Sequence, residues 1–236
     1  MKIKSTKNAL KDHGIVALVY AESGVGKTTA IEQYSGKTFI LDFNGGIGAL
    51  SEFDEDYETI KTDLSNLKEV MDELKDPKGF ISEYDNIAID SISDVETNML
   101  SAYARASKTE SPTLQNYGQT LARIQQFLLD IRNLKFQKKN VIINALEMPL
   151  DEHMADGRIV SKLYPMLAAG KGKFARRLVA ECDIVGHLEI SQKEGTEGKR
   201  FLRLAKTENV VAKDRIFKRE FCFPKEIFNP KNKKGE

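Results

Sequence analysis

The sequence predicts an α/β fold: a mostly parallel central sheet flanked by helices, with an antiparallel hairpin towards the C-terminus. Three observations carry this expectation. Short, continuously apolar runs recur along the chain, and each closes on a polar residue or a glycine-bearing turn. Segments with helical spacing of apolar residues lie between them. Two strand-like stretches near the end are separated only by a polar loop containing Gly195 and Gly198. A run apolar on both faces is a strand buried on both sides, which is the signature of a parallel sheet. Strand–helix alternation then implies right-handed βαβ crossovers, with helices on both faces of the sheet.

The first run, residues 15–20, follows Gly14 and is aliphatic or β-branched throughout, ending in Tyr20. The second is residues 38–41, closed by Asp42, and the third is residues 86–89, closed by Asp90. The fourth, residues 140–143, is closed by Asn144. Leu67, Val70, Met71 and Leu74 share a helical face, and Asp76-Pro77-Lys78-Gly79 supplies the chemistry that stops that helix. Leu114, Tyr117, Leu121, Ile124, Leu128, Ile131 and Leu134 draw one apolar stripe along a helix of about twenty residues. Residues 184–190 and 200–205 form the hairpin, expected at a sheet edge. The organisation expected is an N-terminal extension (1–13), one domain (14–228) and an unfolded polar tail (229–236).

Composition narrows the function classes. The chain has 236 residues, 41% hydrophobic and 30% charged, which is ordinary for a globular domain and unlike disordered or collagenous chains. With 36 Lys+Arg against 35 Asp+Glu the net charge is +1, so any grip on nucleic acid must come from a local basic patch. Cys182 and Cys222 form no CxxC pair, which excludes a cysteine-built zinc site and fits a reducing compartment. No apolar run approaches the roughly 20 residues that span a bilayer, and no signal-peptide core follows the N-terminal charges. The expectation is a cytoplasmic protein without a membrane partner.

One motif carries specific chemistry: Ala21-Glu22-Ser23-Gly24-Val25-Gly26-Lys27-Thr28, placed directly after the first strand. It is a P-loop with Ala21 where the first glycine usually stands. Gly24 and Gly26 give the backbone freedom to turn its N–H groups inward around a phosphate. A helix starting near Gly26 would add its N-terminal dipole. Lys27 would reach the β- and γ-phosphates, and the Thr28 hydroxyl would bind Mg²⁺. The expected ATP contacts are Glu22, Ser23, Gly24, Val25, Gly26, Lys27, Thr28 and Thr29. Asp90, at the end of a hydrophobic strand, is the expected acidic partner for the metal. The strand at 38–41 intervenes in sequence before it, an order that suits P-loop proteins with an extra strand between the two motif strands.

The segments YAESGVGKTT, TFILDFNGG, IAIDS and VIINALE, together with the stretch at 204–215, resemble phage-encoded RecA-like ATP-binding proteins of the single-strand annealing or recombination type. The resemblance covers about residues 14–215, and its P-loop is its specific part. It implies ATP and Mg²⁺ on Lys27, Thr28 and Asp90. It also implies a water-polarising glutamate two residues after Asp42, where this chain has Asn44, an amide that can orient water but cannot take its proton. At the end of the fourth strand, where relatives carry a polar phosphate sensor, stand Asn144 and Glu147. Asn144 is a candidate sensor and Glu147 a candidate displaced catalytic carboxylate. Lys213 and Arg215 fall where the resemblance puts cations that act on ATP bound to a neighbouring subunit, which implies self-association into an oligomer.

Two partly basic segments read as loops fit to meet single-stranded DNA. One spans 104–119, with Arg105 and Lys108; the other spans 156–177, with Lys171, Lys173, Arg176 and Arg177 and the rings of Tyr164 and Phe174. The function expected is a slow, DNA-stimulated ATPase acting with single-stranded DNA in phage recombination or annealing, alongside recombination or single-strand-binding proteins. The alternatives are a nucleotide-dependent binding switch with little hydrolysis, or a P-loop kinase with Arg176-Arg177 in its lid.

Overall fold

The structure is a computed structural model describing residues 13–51, 58–61, 66–167, 172–192 and 194–228. Residues 1–12 of the expected N-terminal extension, the tail at 229–236 and Lys171 lie outside the described residues.

The first strand, β1 (Val16–Ala21), is buried along its whole length, as a strand covered on both faces must be. It is flanked by β5 (Asn140–His153) and β7 (Ile184–Ile190), both parallel to it. Beyond β5 come β4 (Asn86–Asp90), β2 (Thr38–Asp42) and β3 (Glu58–Lys61), again parallel. Beyond β7 come β8 (Arg200–Arg203) and β10 (Phe221–Cys222), both antiparallel. The resulting order is β10-β8-β7-β1-β5-β4-β2-β3. The expected mixed α/β architecture, with a mostly parallel sheet and a C-terminal antiparallel hairpin, is what the chain adopts.

The strand between the P-loop strand β1 and the Asp90 strand β4 is β5, not the strand at 38–41 that separates them in sequence. The latter is β2, which flanks β4 on its far side. The in-register pairs Ala17↔Ile142 and Ala88↔Ile142 put β5 in the middle of the parallel block.

The layers differ from expectation. Helices α1 (Leu67–Lys75), α2 (Ile92–Ala106), α3 (Leu114–Asn133) and α4 (Lys173–Glu181) all pack on one face, with Val16, Leu18, Tyr20, Ile87, Ile89 and Ile143. The other face, which carries Ala17, Val19, Ile40, Ala88 and Ile142, is covered by the 3₁₀ turn Thr29–Gln33 and by Leu202, Cys222, Ile227 and Phe228 of the C-terminal segment. Between β1 and β2 the phosphate loop is followed only by that short turn and a brief connection into β2. That turn keeps a single i→i+4 bond, Ala30 N–H to Gly26 carbonyl, before tightening. The helix expected to start near Gly26 is therefore absent.

The apolar stripe of α3 is also shifted. Leu114 is 92% exposed and Tyr117 is exposed as well. In their place Asn116 turns inward and is wholly buried, its amide donating to the Tyr103 carbonyl and the Ser107 hydroxyl of the preceding helix end. With the Thr113–Asn116 capping box this ties α2 to α3 and aims Thr120, Ile124, Phe127 and Ile131 at the core. The segment 104–119, expected as a loop, is thus two helix ends and a tight turn. In the segment 156–177, of which residues 168–171 lie outside the described residues, stand β6 (Ile159–Pro165), which pairs antiparallel with the outer half of β5, and the start of α4. The two-residue strand β9 (Lys213–Asp214) pairs with the beginning of β7. Among the described residues no helix is long and apolar enough to cross a membrane.

Candidate functional site

Strand alternation decides which side chains can meet at the carboxyl end of the sheet. Asp42, Asp90 and Asn144 share the face of Ile40, Ala88 and Ile142, which is also the face on which the loop after β1 folds over. Within that loop Gly24 and Gly26 hold φ values of 83° and 95°, a left-handed backbone that side-chain-bearing residues disfavour. Among the described residues, no carbonyl or side chain accepts from the N–H groups of residues 23–28. A ring of unclaimed donors of this kind is an anion cradle.

Lys27 is buried, with its ammonium folded back on the loop, donating to the carbonyls of Ala21 at 3.0 Å and Glu22 at 2.8 Å. Burial pushes this ammonium below the usual lysine range, against the opposing pull of Asp90, Glu147, Asp94 and Glu22. An arriving polyanion favours the charged ammonium and offers better acceptors than two carbonyls. The Thr28 hydroxyl donates to Asp90 Oδ2 at 2.6 Å. Asn144 Nδ2 donates to Asp90 Oδ1 at 3.2 Å and to the Lys27 carbonyl at 3.3 Å, which leaves its own buried Oδ1 without a partner. Burial raises the Asp90 carboxyl above the usual range, opposed by the hydrogen bonds from Thr28 and Asn144. A hydroxyl and a buried carboxylate side by side are hard oxygen donors of the kind Mg²⁺ takes, and an incoming dication relieves the cost of burying that carboxylate. The residues present therefore fit a magnesium ion.

These groups surround a cavity of about 400 Å³. Of the expected nucleotide contacts, Ser23, Gly24, Gly26, Lys27, Thr28 and Thr29 line it. Glu22 and Val25 do not; they contribute carbonyls, to Lys27 and to Arg200 respectively. Asn44 also lines the cavity, its amide oxygen accepting from the Gly46 N–H. Glu147 does not. By alternation it shares the opposite face with Ile143 and Ala145, where His187 Nε2 binds it at 2.8 Å and the other ring nitrogen meets Glu189.

Two residues that sequence reasoning missed stand at the site. Asp94, in the first turn of α2, lines the cavity and accepts from the Ser91 hydroxyl. The spacing Ser91-x-x-Asp94 before an apolar helix was a readable helix-start signal. Arg200, on β8, donates Nε–H to the Val25 carbonyl at 2.8 Å, and its guanidinium covers the α-carbon of Gly26. A cationic side chain therefore touches the P-loop from within the same chain. Its 175-residue separation from Val25 gave no signal.

The remaining expected site residues lie away from the cavity. Lys173, Arg176 and Arg177 stand on the exposed face of α4. Arg177 bonds to Glu181 at 2.8 Å, whereas Arg176 lies over the Tyr164 ring and 3.7 Å from Glu152. Lys213 donates to the Ala180 carbonyl, and Arg215 is exposed next to it. Both sit beside the start of β7, whereas the P-loop follows the end of β1, so within one chain they are at opposite ends of the sheet.

In comparisons with known proteins, the AAA domain family matches residues 13–216. No curated protein matches the chain in sequence. Among solved structures, a KaiC-like protein from the hyperthermophilic archaeon Pyrococcus horikoshii OT3 is similar at 15% identity, over 80% of this chain and 77% of its own, with a TM-score of 0.44.

Proposed function

Because the chain belongs to the AAA domain family, we propose that it binds ATP with Mg²⁺ in the cavity over β1 and β4 and hydrolyses it slowly. The observation that carries this is the 2.6 Å contact between Thr28 and Asp90 beneath the unclaimed N–H groups of the P-loop. Lys27 neutralises the terminal phosphates, and Thr28 and Asp90 hold the metal, which when bound offsets charge on the β- and γ-phosphates. In hydrolysis, the oxygen of water bonds to the γ-phosphorus. The bond from that phosphorus to the bridging oxygen breaks, and ADP leaves with the electron pair. Asn44 orients the water and Asp94 takes its proton. The amide at 44 and the hydrogen-bonded state of Asp94 both support a low rate.

The fuller reading is a cytoplasmic ATPase that acts with single-stranded DNA in phage recombination or annealing and works as an oligomer. Its support is the resemblance together with the exposed Lys173 and Arg176 on α4 and the exposed Arg215 near β7. The acid partners of Arg176 and Arg177 argue for weak, salt-sensitive DNA contact. A second reading, a nucleotide-dependent binding switch, is favoured by Asn44 at the rim of the cavity. Release of phosphate from ATP, measured with and without single-stranded DNA and over a panel of phosphate acceptors, separates these. Slow release that DNA accelerates supports the ATPase. Tight ATP binding with no release supports the switch, and phosphate appearing on an acceptor contradicts both.

A further inference from the structure

The P-loop has a second pocket on its other flank. It encloses about 290 Å³ and is lined by Gln33, Gly198, Lys199, Arg200, Phe223 and Lys225, with no carboxylate among them. It meets the phosphate cavity at Gly26: that glycine lines the cavity, and the Arg200 guanidinium that lines the pocket lies within 2.3 Å of where its Cβ would be. Among the described residues the Arg200 guanidinium has no acid partner; its one hydrogen bond goes to the Val25 carbonyl. A guanidinium held against an anion cradle without a counter-ion is placed for a phosphate on its free edge.

We propose that this pocket receives the adenosine end of the bound nucleotide, with Arg200 at the junction between nucleoside and phosphates. The inference rests on the ATP reading above. Phe223, 37% exposed, lines this pocket and supplies an aromatic ring on which a base could stack. Gln33 stands at the end of the turn that follows the P-loop, and its side chain has no hydrogen-bond partner among the described residues. Its amide pairs a donor with an acceptor, which matches the N6 donor and N7 acceptor of adenine. Lys199 and Lys225 are exposed on either side and suit the charge of the adjoining phosphate. The pocket thus combines a ring, an amide and cations, the chemistry of an adenine nucleotide rather than of a bare polyphosphate.

Equilibrium binding of Mg²⁺·ATP, Mg²⁺·GTP and Mg²⁺·tripolyphosphate to wild type, Phe223→Ala and Gln33→Ala tests this, with thermal melting to confirm that each variant is folded. Wild type is expected to bind ATP at least about tenfold more tightly than tripolyphosphate. Phe223→Ala should close most of that gap without changing tripolyphosphate affinity, and Gln33→Ala should narrow the preference for ATP over GTP. Equal weakening of ATP and tripolyphosphate by Phe223→Ala, or no effect on either, overturns the proposal. So does a Phe223→Ala variant that loses single-stranded DNA but keeps ATP. If wild type binds tripolyphosphate as tightly as ATP, the adenosine pocket fails while the phosphate site stands. If it binds neither, the nucleotide reading fails and takes this proposal with it.

Discussion

Thr28 and Asp90, 62 residues apart, are joined by a 2.6 Å hydrogen bond that fastens the P-loop to the end of β4. The other oxygen of Asp90 is held by Asn144 from the intervening strand β5. Three neighbouring parallel strands therefore meet at one carboxylate. In this arrangement the Thr28 hydroxyl points its hydrogen at Asp90.

The Asp90 carboxyl gives the first prediction. Its folded value is raised by burial, so the native chain holds that proton more readily than the unfolded chain does. Between the ordinary value of about 3.9 and the raised one, stability falls as pH rises, and above the raised value the cost is constant. Magnesium competes with the same proton, so Mg²⁺-dependent ATP binding should strengthen as pH rises through the raised value and then level off. Asp90→Asn should remove both trends, giving a protein more stable at neutral pH without nucleotide and at least about tenfold weaker in Mg²⁺·ATP, roughly 1.4 kcal/mol. Melting curves and titrations across pH check this; an unchanged Mg²⁺ dependence in the variant counts against the metal site.

Gly26 gives the second. Its φ of 95° strains any residue with a side chain, and an added Cβ would lie 2.3 Å from the Arg200 guanidinium, which would have to swing aside. Gly26→Ala should displace Arg200, distort the cradle and weaken ATP by at least about tenfold, or about 1.4 kcal/mol. Gly24 carries a similar φ, but nothing lies within 4 Å of an added Cβ, so Gly24→Ala meets backbone strain alone and should cost less. Equal affinities for the two variants would show that Arg200 does not confine the loop.

The third concerns rate. With Asn44 at the cavity and no carboxylate at that position, turnover should fall below the usual range of about 1–1,000 per second. Asn44→Glu should raise it, and Asp94→Asn should lower it while ATP affinity stays within about threefold. Glu147→Gln should leave the rate alone, because Glu147 faces the other side of the sheet and His187 holds it. Steady-state phosphate release with the three variants decides; a collapse of rate in Glu147→Gln alone would return the catalytic role to that residue.

Much of this was legible in the sequence, for a physical reason. Strands buried on both faces leave continuous apolar runs, so β1, β2, β4 and the first half of β5 could be read, along with Ala21, Asp42, Asp90 and Asn144, which follow or close those runs. The P-loop could be read because its glycines and its Lys-Thr pair answer one chemical need. The far half of β5 was hidden by Pro149, Asp151 and Glu152, which suit a two-stranded ribbon outside the main sheet. The buried face of α3 was misread because a single hydrogen-bonded Asn116 outweighs the apolar Leu114 and Tyr117 in setting how its first turn sits. Glu147 looked close to the site by sequence, but a strand alternates faces at every residue and it falls on the wrong one. Arg200 reaches the P-loop only through the order β8-β7-β1, which no local pattern encodes.

A fourth prediction addresses partners. Changing Lys173, Arg176 and Arg177 together to glutamine should weaken single-stranded DNA binding and flatten its salt dependence, by about 0.7 in logarithmic slope for each phosphate no longer neutralised. Replacing Lys213 and Arg215 by alanine should leave ATP binding to the isolated chain nearly intact and abolish turnover that depends on assembly. DNA binding that is unaffected by the triple variant, or a fully active Lys213/Arg215 double variant, contradicts the corresponding part of the proposal.

The central claim is that the loop over β1 is a working nucleotide site, and its most direct test is calorimetric titration of wild type and Lys27→Ala with ATP, with and without Mg²⁺. The account predicts one site per chain, tighter with Mg²⁺, and at least about tenfold weaker in Lys27→Ala, or about 1.4 kcal/mol. Binding that ignores both Mg²⁺ and Lys27 would contradict it.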